Sequence, residues 1–281
     1  MDGKVIFFDI DGTVCDYGGV IPKSAEKAVQ LLRSNGHIPV ICTGRAKGHL
    51  RDKRLLSMGF EGLIAACGSH VEFDGIMIHE DFLPGKTVRK IIELAKECRI
   101  PIVFEGNRKH WISDKGFEHD DFIHRMIEEL GNDAVLFDDY IPDIKANKFA
   151  GNILFASNYG IFEKGLSGDI SFIVHELSKD QQIGQSKFNG EPNRVVGMFE
   201  GIIPGTSKAC GIKMLCDYLN VDPKDTFAIG DSSNDLEMIE ISGTGIAMGN
   251  ASACLKDAAD FITDSVWDDG LYNAMKYYGL I

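Results

Sequence analysis

The stretch Val5-Ile6-Phe7-Phe8-Asp9-Ile10-Asp11-Gly12-Thr13 delivers two carboxylates and a glycine at the end of a nearly unbroken apolar run. A run of this kind, closed by a turn signal, predicts a strand buried on both faces, and open parallel sheets handle ligands at the carboxyl ends of such strands. Asp9 and Asp11 are therefore placed like site residues. If the extended conformation persists through Ile10, period-two geometry turns both side chains to one side, and Gly12 lets the backbone bend around what they hold. A lone Asp at a strand end serves as readily to cap a turn; two after four large apolar residues favour a site.

Beyond this stretch, Ala25, Ala28, Leu31 and Leu32 recur at helical spacing between Pro22 and the stop signal Asn35-Gly36. The apolar strand Ile38–Cys42 ends on Thr43-Gly44-Arg45, a second polar tip. A helix over 46–58 and a strand over 63–66 complete a βαβαβ run, the signature of a parallel doubly wound sheet, with Cys67-Gly68-Ser69 at the third tip. The rhythm then changes: Val71–Phe73 and Ile76–Ile78 flank Asp74-Gly75, a strong hairpin signal. From about 84 to about 200 the pattern mixes helices (86–97, 119–130) with short strands (101–105, 152–156, 170–174, 194–199), while 164–167 and 179–193 read as surface loops.

At Pro204-Gly205-Thr206-Ser207 the α/β rhythm returns: helix 207–219, strand 226–229, the polar tip Gly230-Asp231-Ser232-Ser233-Asn234-Asp235, helix 234–241, strand 244–248, helix 251–258, strand 261–262 and helix 270–278. The expected fold class is α/β: a Rossmann-like, doubly wound parallel-sheet core from residues 1–82 and 201–281, interrupted by an inserted α+β cap over 83–200.

At 281 residues the chain is long enough for two cores, and 44% hydrophobic with 25% charged residues is ordinary globular composition. The net charge of −13 argues against nonspecific binding to nucleic acid or anionic membrane. No apolar run approaches the roughly 20 residues that span a bilayer, and no basic leader precedes the first strand, so a cytoplasmic location is expected. The seven cysteines, odd in number and never in ligand spacing, read as reduced core thiols. Asn250-Ala251-Ser252 matches a glycosylation sequon by chance.

Asp9, Asp11, Asp231 and Asp235 lie at two strand tips that a parallel sheet sets side by side. Two unit charges about 4 Å apart repel by roughly 4 kcal/mol at an effective dielectric near 20. A divalent cation with oxygen ligands relieves this, and Mg²⁺ suits a few carboxylates with waters and phosphate oxygens. Thr43, Lys208 and Asn234 can donate to an anion, Lys208 from the first turn of a helix, where the dipole favours negative charge. Metal-holding carboxylates beside anion donors are what phosphoryl transfer needs, with one carboxylate available as nucleophile and another as acid and base.

Asp9-Ile10-Asp11-Gly12-Thr13, Ile41-Cys42-Thr43-Gly44-Arg45, Lys208 and Gly230 to Asp235 resemble, in order and spacing, the four motifs of the haloacid dehalogenase superfamily. The cap position, the Asp74-Gly75 hairpin and Gly245 to Ala251 resemble its Cof-type phosphatases, with a type IIB cap. The resemblance implies a Mg²⁺-dependent phosphatase acting on a small phosphorylated metabolite, a sugar phosphate or phosphorylated cofactor, with the cap closing over it. It implies Asp9 as nucleophile and Asp11 as acid and base. Thr43, Gly44, Lys208 and Asn234 would hold phosphate; Asp9, the Asp11 carbonyl, Asp231 and Asp235 would hold or orient the metal shell. Arg45 and Gly68 are candidate substrate contacts, though Arg45 could instead pair with a carboxylate, and Cys67-Gly68 stands where relatives often carry Asn-Gly. A phosphomannomutase-like transfer and a noncatalytic phospho-ligand sensor are the alternatives, and the protein is expected as a monomer or homodimer. Arg108, His110, Trp111 and Lys148 in the cap read as packing or solvated surface rather than substrate contacts. Gly243 to Gly249 is a residue too long for GxGxxG and enters a strand, so it does not signal a dinucleotide site.

Overall fold

A computed structural model of the chain describes residues 3–112, 121–137, 143–154, 156–176, 185–188, 191–194 and 197–281. The chain forms two compact units, one from 1–45, 50–80 and 206–281, the other from 46–49 and 81–205.

The first unit holds an eight-stranded sheet in the order Phe261–Ile262, Thr244–Ala247, Phe227–Gly230, Val5–Phe8, Ile38–Cys42, Gly62–Ala65, His70–Phe73, Ile76–Glu80. The six strands from Phe261–Ile262 to Gly62–Ala65 pair in parallel, and the last two form the antiparallel hairpin turning at Asp74-Gly75. Val5–Phe8 is central and buried on both sides. Ile6 and Phe8 pack with Val29, Leu32 and Met275 on one face, while Val5 and Phe7 pack with Ile212, Leu215 and Ile64 on the other. Each large side chain buried this way contributes roughly 1.5–3 kcal/mol, which explains why the strand reads as unbroken apolar sequence rather than alternating.

The second unit holds a six-stranded sheet in the order Ser171–Glu176, Gly197–Ile202, Lys148–Ile153, Ile102–Glu105, His110–Ile112, Ala134–Leu136. All pairs are antiparallel except the last. One face carries Phe104, Phe149 and Phe199 against Ile91 and Ile92 of helix Gly85–Cys98 and Phe162 of helix Ala156–Gly165. On the opposite face Val103 and Ile112 pack beneath helix Asp121–Leu130, and the next residues on that face, Glu105 and His110, are buried polar groups.

Several local expectations are corrected. No helix spans 46–58; a single turn at Lys47–His49 is followed by a short helix at Lys53–Leu56. Asp52 restarts the helix by accepting from the N–H groups of Arg54 and Leu55 at 2.7 and 3.3 Å. The strand expected over 152–156 ends at Ile153, and helix Ala156–Gly165 takes in 164–165; its two glycines and weak apolar periodicity hid it. Within 179–193, Gln185–Phe188 and Glu191–Arg194 pair as a hairpin rather than a loop, while 179–184 and 189–190 lie outside the described residues, as do 119–120 of the expected helix and 195–196 of the expected strand. Among the described residues no helix is long and apolar enough to cross a membrane. The cysteines are all free, yet Cys254 is exposed and Cys210 half-buried rather than core.

Candidate active site

Strand register builds the site within the first unit. Phe8 pairs with Ile229 on one side and Ile41 on the other, so the chain leaves all three strands at one level and sets Asp9, Asp231 and Thr43 at adjacent tips. The Asp9 N–H still bonds the Ile229 carbonyl at 3.0 Å, which fixes its backbone as an extension of the sheet. Extended geometry stops there. Ile10 lies in a turn, and its carbonyl accepts from the N–H groups of Thr13, Val14 and Cys15.

The break separates the two leading carboxylates. Asp9, Asp231 and Asp235, all buried, bring carboxylate oxygens within 4.8 Å of one another. The Asp11 carboxylate is outside that group, held by Arg45: Nε donates to Oδ2 at 2.7 Å and Nη2 to Oδ1. The Arg45 N–H in turn bonds Thr43 Oγ1 at 3.1 Å, so the second tip is folded around Arg45.

Lys208 is fully buried and donates to Asp9 Oδ1 at 2.6 Å, to Asp235 Oδ1 and, at 3.4 Å, to Asn234 Oδ1. Its helix, Lys208–Leu219, is capped by Ser207 and docked by Gly68. A Cβ at Gly68, whose φ is +91°, would lie 2.3 Å from the Ser207 carbonyl, so the glycine faces the root of the helix and serves close packing. Asp235 also accepts from the N–H groups of Asp231 and Ser232, each at 3.0 Å, which locks the loop after strand Phe227–Gly230.

Three buried carboxylates against one ammonium leave charge uncompensated. Burial first, then Asp235, push the Asp9 carboxyl up to about 8 against the pull of Lys208. Burial pushes Asp231 up to about 6, opposed by the Tyr17 hydroxyl that donates to its Oδ2. Burial works to strip the Lys208 proton, and Asp9 and Asp235 outweigh it and hold that group well above its ordinary value. Asp231 Oδ1 is buried and has no hydrogen-bond partner among the described residues. An orphaned oxygen inside an acidic cluster fits a hard divalent cation such as Mg²⁺, which Asp9 and Asp231 could hold with Asp235 close behind them.

Two contributors are absent from the residues given site roles by the sequence. Tyr17, though largely exposed, reaches Asp231, and Asn250 donates to the Gly12 carbonyl at 2.8 Å while its Oδ1 accepts from the Val266 N–H at 3.1 Å. Asn250 falls in the Gly245 to Ala251 segment that resembles the Cof-type phosphatases, whereas no spacing rule joins Tyr17 to the strand tips. The cap candidates fall within the second unit, where Trp111 packs in the aromatic core, His110 and Lys148 are buried, and Arg108 is exposed.

A buried lysine linking two aspartates beside a third, at the carboxyl ends of parallel strands, is a site for phosphoryl chemistry. Residues 6–275 match the family of haloacid dehalogenase-like hydrolases. The chain belongs to that family, as an enzyme of the phosphatase kind. It is 35% identical over the full length of both chains to YkrA of Bacillus subtilis (strain 168), which carries a provisional phosphatase name. It is 25% identical to YcsE of the same organism, a 5-amino-6-(5-phospho-D-ribitylamino)uracil phosphatase, over 100% of this chain and 97% of that one. Among solved structures, the subclass IIB sugar phosphatase BT4131 superposes with a TM-score of 0.76 at 20% identity, over 99% of this chain and 100% of that chain, and so shares the fold.

Proposed function

We propose that the chain is a Mg²⁺-dependent phosphatase that hydrolyses a small phosphorylated metabolite through an aspartyl-phosphate. The observation that carries this is the buried contact of Lys208 with Asp9 and Asp235 beside the unsatisfied Asp231 oxygen. With Oδ1 of Asp9 engaged by Lys208, Oδ2 is the oxygen that attacks phosphorus. Asp11, oriented by Arg45, gives its proton to the departing ester oxygen as the P–O bond breaks. In the second half, Asp11 takes a proton from water, the water oxygen bonds phosphorus, and the bond to Asp9 breaks to release phosphate.

Thr43, the Gly44 N–H, Lys208 and the Asn234 amide hold the phosphoryl oxygens. The Asn234 carboxamide oxygen already accepts from Ser232 and Lys208, which orients its NH₂ group outward. Mg²⁺, held by Asp9, the Asp11 carbonyl and Asp231 with Asp235 behind them, would supply charge neutralisation to the transferring group. The relative YcsE, named for a phosphate on a ribityl chain, supports a small polyol or sugar monoester as substrate.

The test is phosphate release from a panel of phosphorylated metabolites and p-nitrophenyl phosphate, with acid-quenched trapping of phosphorylated protein. Wild type is expected to turn over with Mg²⁺ and to yield an acid-stable, hydroxylamine-sensitive phosphoryl adduct, absent in Asp9→Asn. Retained hydrolysis in Asp9→Asn would sink the reading.

A further inference from the structure

A second cluster of ligating side chains lies wholly within the second unit and takes no part in the chemistry above. Glu105 and His110 are directly opposed on the hairpin of Ile102–Glu105 with His110–Ile112, so both side chains stand on one face of that sheet. The turn at Lys47–His49 brings His49 against them: its Nδ1 is 3.1 Å from Glu105 Oε2, and the two imidazole centroids are 4.1 Å apart. One ligand atom from each of the three lies within 4.8 Å of the others.

This closeness is built in. The Gly48 N–H bonds the Gly106 carbonyl at 3.2 Å. A Cβ at Gly48 would lie 2.5 Å from that oxygen and 2.6 Å from His110 Cε1, so no other residue lets the turn approach the hairpin this far. Donor atoms around a tetrahedral ion with bonds of about 2.1 Å stand about 3.4 Å apart, and the three side chains already hold theirs within 4.8 Å.

We infer that His49, Glu105 and His110 form a metal site distinct from the aspartate cluster, suited to Zn²⁺ or a neighbouring first-row divalent ion. Two imidazoles with one carboxylate favour such borderline ions over Mg²⁺, which prefers an all-oxygen shell. Charge in the surroundings permits a cation. Lys148, opposite Glu105 in the sheet, draws on that carboxylate but also ion-pairs with Glu200, so two carboxylates stand against one ammonium. His110 is fully buried and Glu105 nearly so, whereas the His49 side chain is 23% exposed, leaving one side for an ion to enter and for water to complete the shell. Bound there, the ion would pin the turn that follows the Thr43-Gly44-Arg45 segment to the sheet of the second unit. The site does not depend on the proposed phosphatase mechanism.

The experiment is titration of the chelator-treated full chain with ZnCl₂ in excess Mg²⁺, by calorimetry, and with CoCl₂, by visible absorption. One Zn²⁺ per chain is expected, with a Co²⁺ spectrum of imidazole ligation. His49→Gln, at a partly exposed position, should weaken binding at least about 100-fold, since even changes behind a ligand cost 10–100-fold. Glu105→Gln, nearly isosteric, should do the same with an unchanged circular dichroism spectrum, and Asp231→Asn should leave Zn²⁺ uptake intact. No Zn²⁺ uptake by wild type, uptake undiminished in His49→Gln, or uptake lost in Asp231→Asn would each overturn the inference.

Discussion

Arg45 grips Asp11 through two parallel hydrogen bonds, Nε to Oδ2 at 2.7 Å and Nη2 to Oδ1, and so holds that carboxylate apart from Asp9. Both side chains are about one-third exposed (37% and 36%), so solvent screens the pair and its worth to stability is at most about 1 kcal/mol. Its worth to orientation is greater, because a planar guanidinium fixes a carboxylate that an ammonium holds at one point. Arg45→Lys is therefore expected to lower kcat about tenfold or more while moving Tm by only a few degrees. A steady-state assay with a thermal melt checks this, and an unchanged kcat would remove Arg45 from the positioning of Asp11.

Among the described residues, Lys208 is the cation that Asp9 and Asp235 share. Lys208→Met leaves Asp9 and Asp235 without their partner, and breaking a buried pair costs about 3–5 kcal/mol. The expectation is loss of turnover together with a large fall in stability at pH 8. The fall should shrink at pH 6, where Asp9 takes up a proton instead. Denaturant unfolding at the two pH values measures the difference, and equal losses would contradict it.

The same crowding gives the metal-free protein a pH dependence of definite sign. Burial pushes Asp9 up to about 8 and Asp231 to about 6, from an ordinary 3.8. Between the ordinary carboxylate range and these values the folded state keeps protons that the unfolded chain has shed, so these groups favour folding at low pH and lose that effect as pH rises toward 8. A cation replaces the missing protons. Mg²⁺ should accordingly raise Tm more at pH 8 than at pH 5.5, and a gain that is the same at both would show the carboxylates to be ionised throughout.

Tyr17 donates its hydroxyl to Asp231 Oδ2 from a largely exposed position. In the proposed site the other oxygen of that carboxylate, Oδ1, faces the cation, so the phenol draws on charge the metal would otherwise have. Tyr17→Phe is expected to tighten half-saturation by Mg²⁺ severalfold with little change in Tm. Weaker Mg²⁺ dependence of turnover in the variant would instead make Tyr17 a support for the ligand.

Gly68 packs at φ +91° against the Ser207 carbonyl, immediately before Lys208. Gly68→Ala should destabilise by about 1–3 kcal/mol through backbone strain and lower kcat by displacing the lysine. Crystallography of the variant would locate the shift; an unmoved helix with full activity would leave the glycine unexplained.

The parallel core was legible because a doubly buried strand leaves a continuous apolar run, and the polar tips after Phe8, Cys42 and Ile229 stand out against it. The grouping of Asp9, Asp231 and Asp235 followed from strand adjacency alone. The separation of Asp11 did not, because it depends on a turn at Ile10 that three carbonyl-accepted N–H groups create and no periodicity announces. In the cap, strands His110–Ile112 and Ala134–Leu136 are three residues long, too short for alternation to register. Tyr17 and the pairing of His49 with Glu105 arise from contacts between distant segments, where spacing carries no signal.

The register of Ile6 with Phe227 has a consequence for biosynthesis. The central strand of the first unit is synthesised before both strands that flank it, and one of these, Phe227–Gly230, follows only after the whole of the second unit. Closing so long a loop is slow relative to local pairing, and the apolar run Val5–Phe8 waits with one edge uncovered. The second unit, built almost entirely from one continuous segment, has no such delay. Nascent chains arrested before residue 227 should therefore engage holdase chaperones through their N-terminal strand, and chains extended past Ala247 should let go.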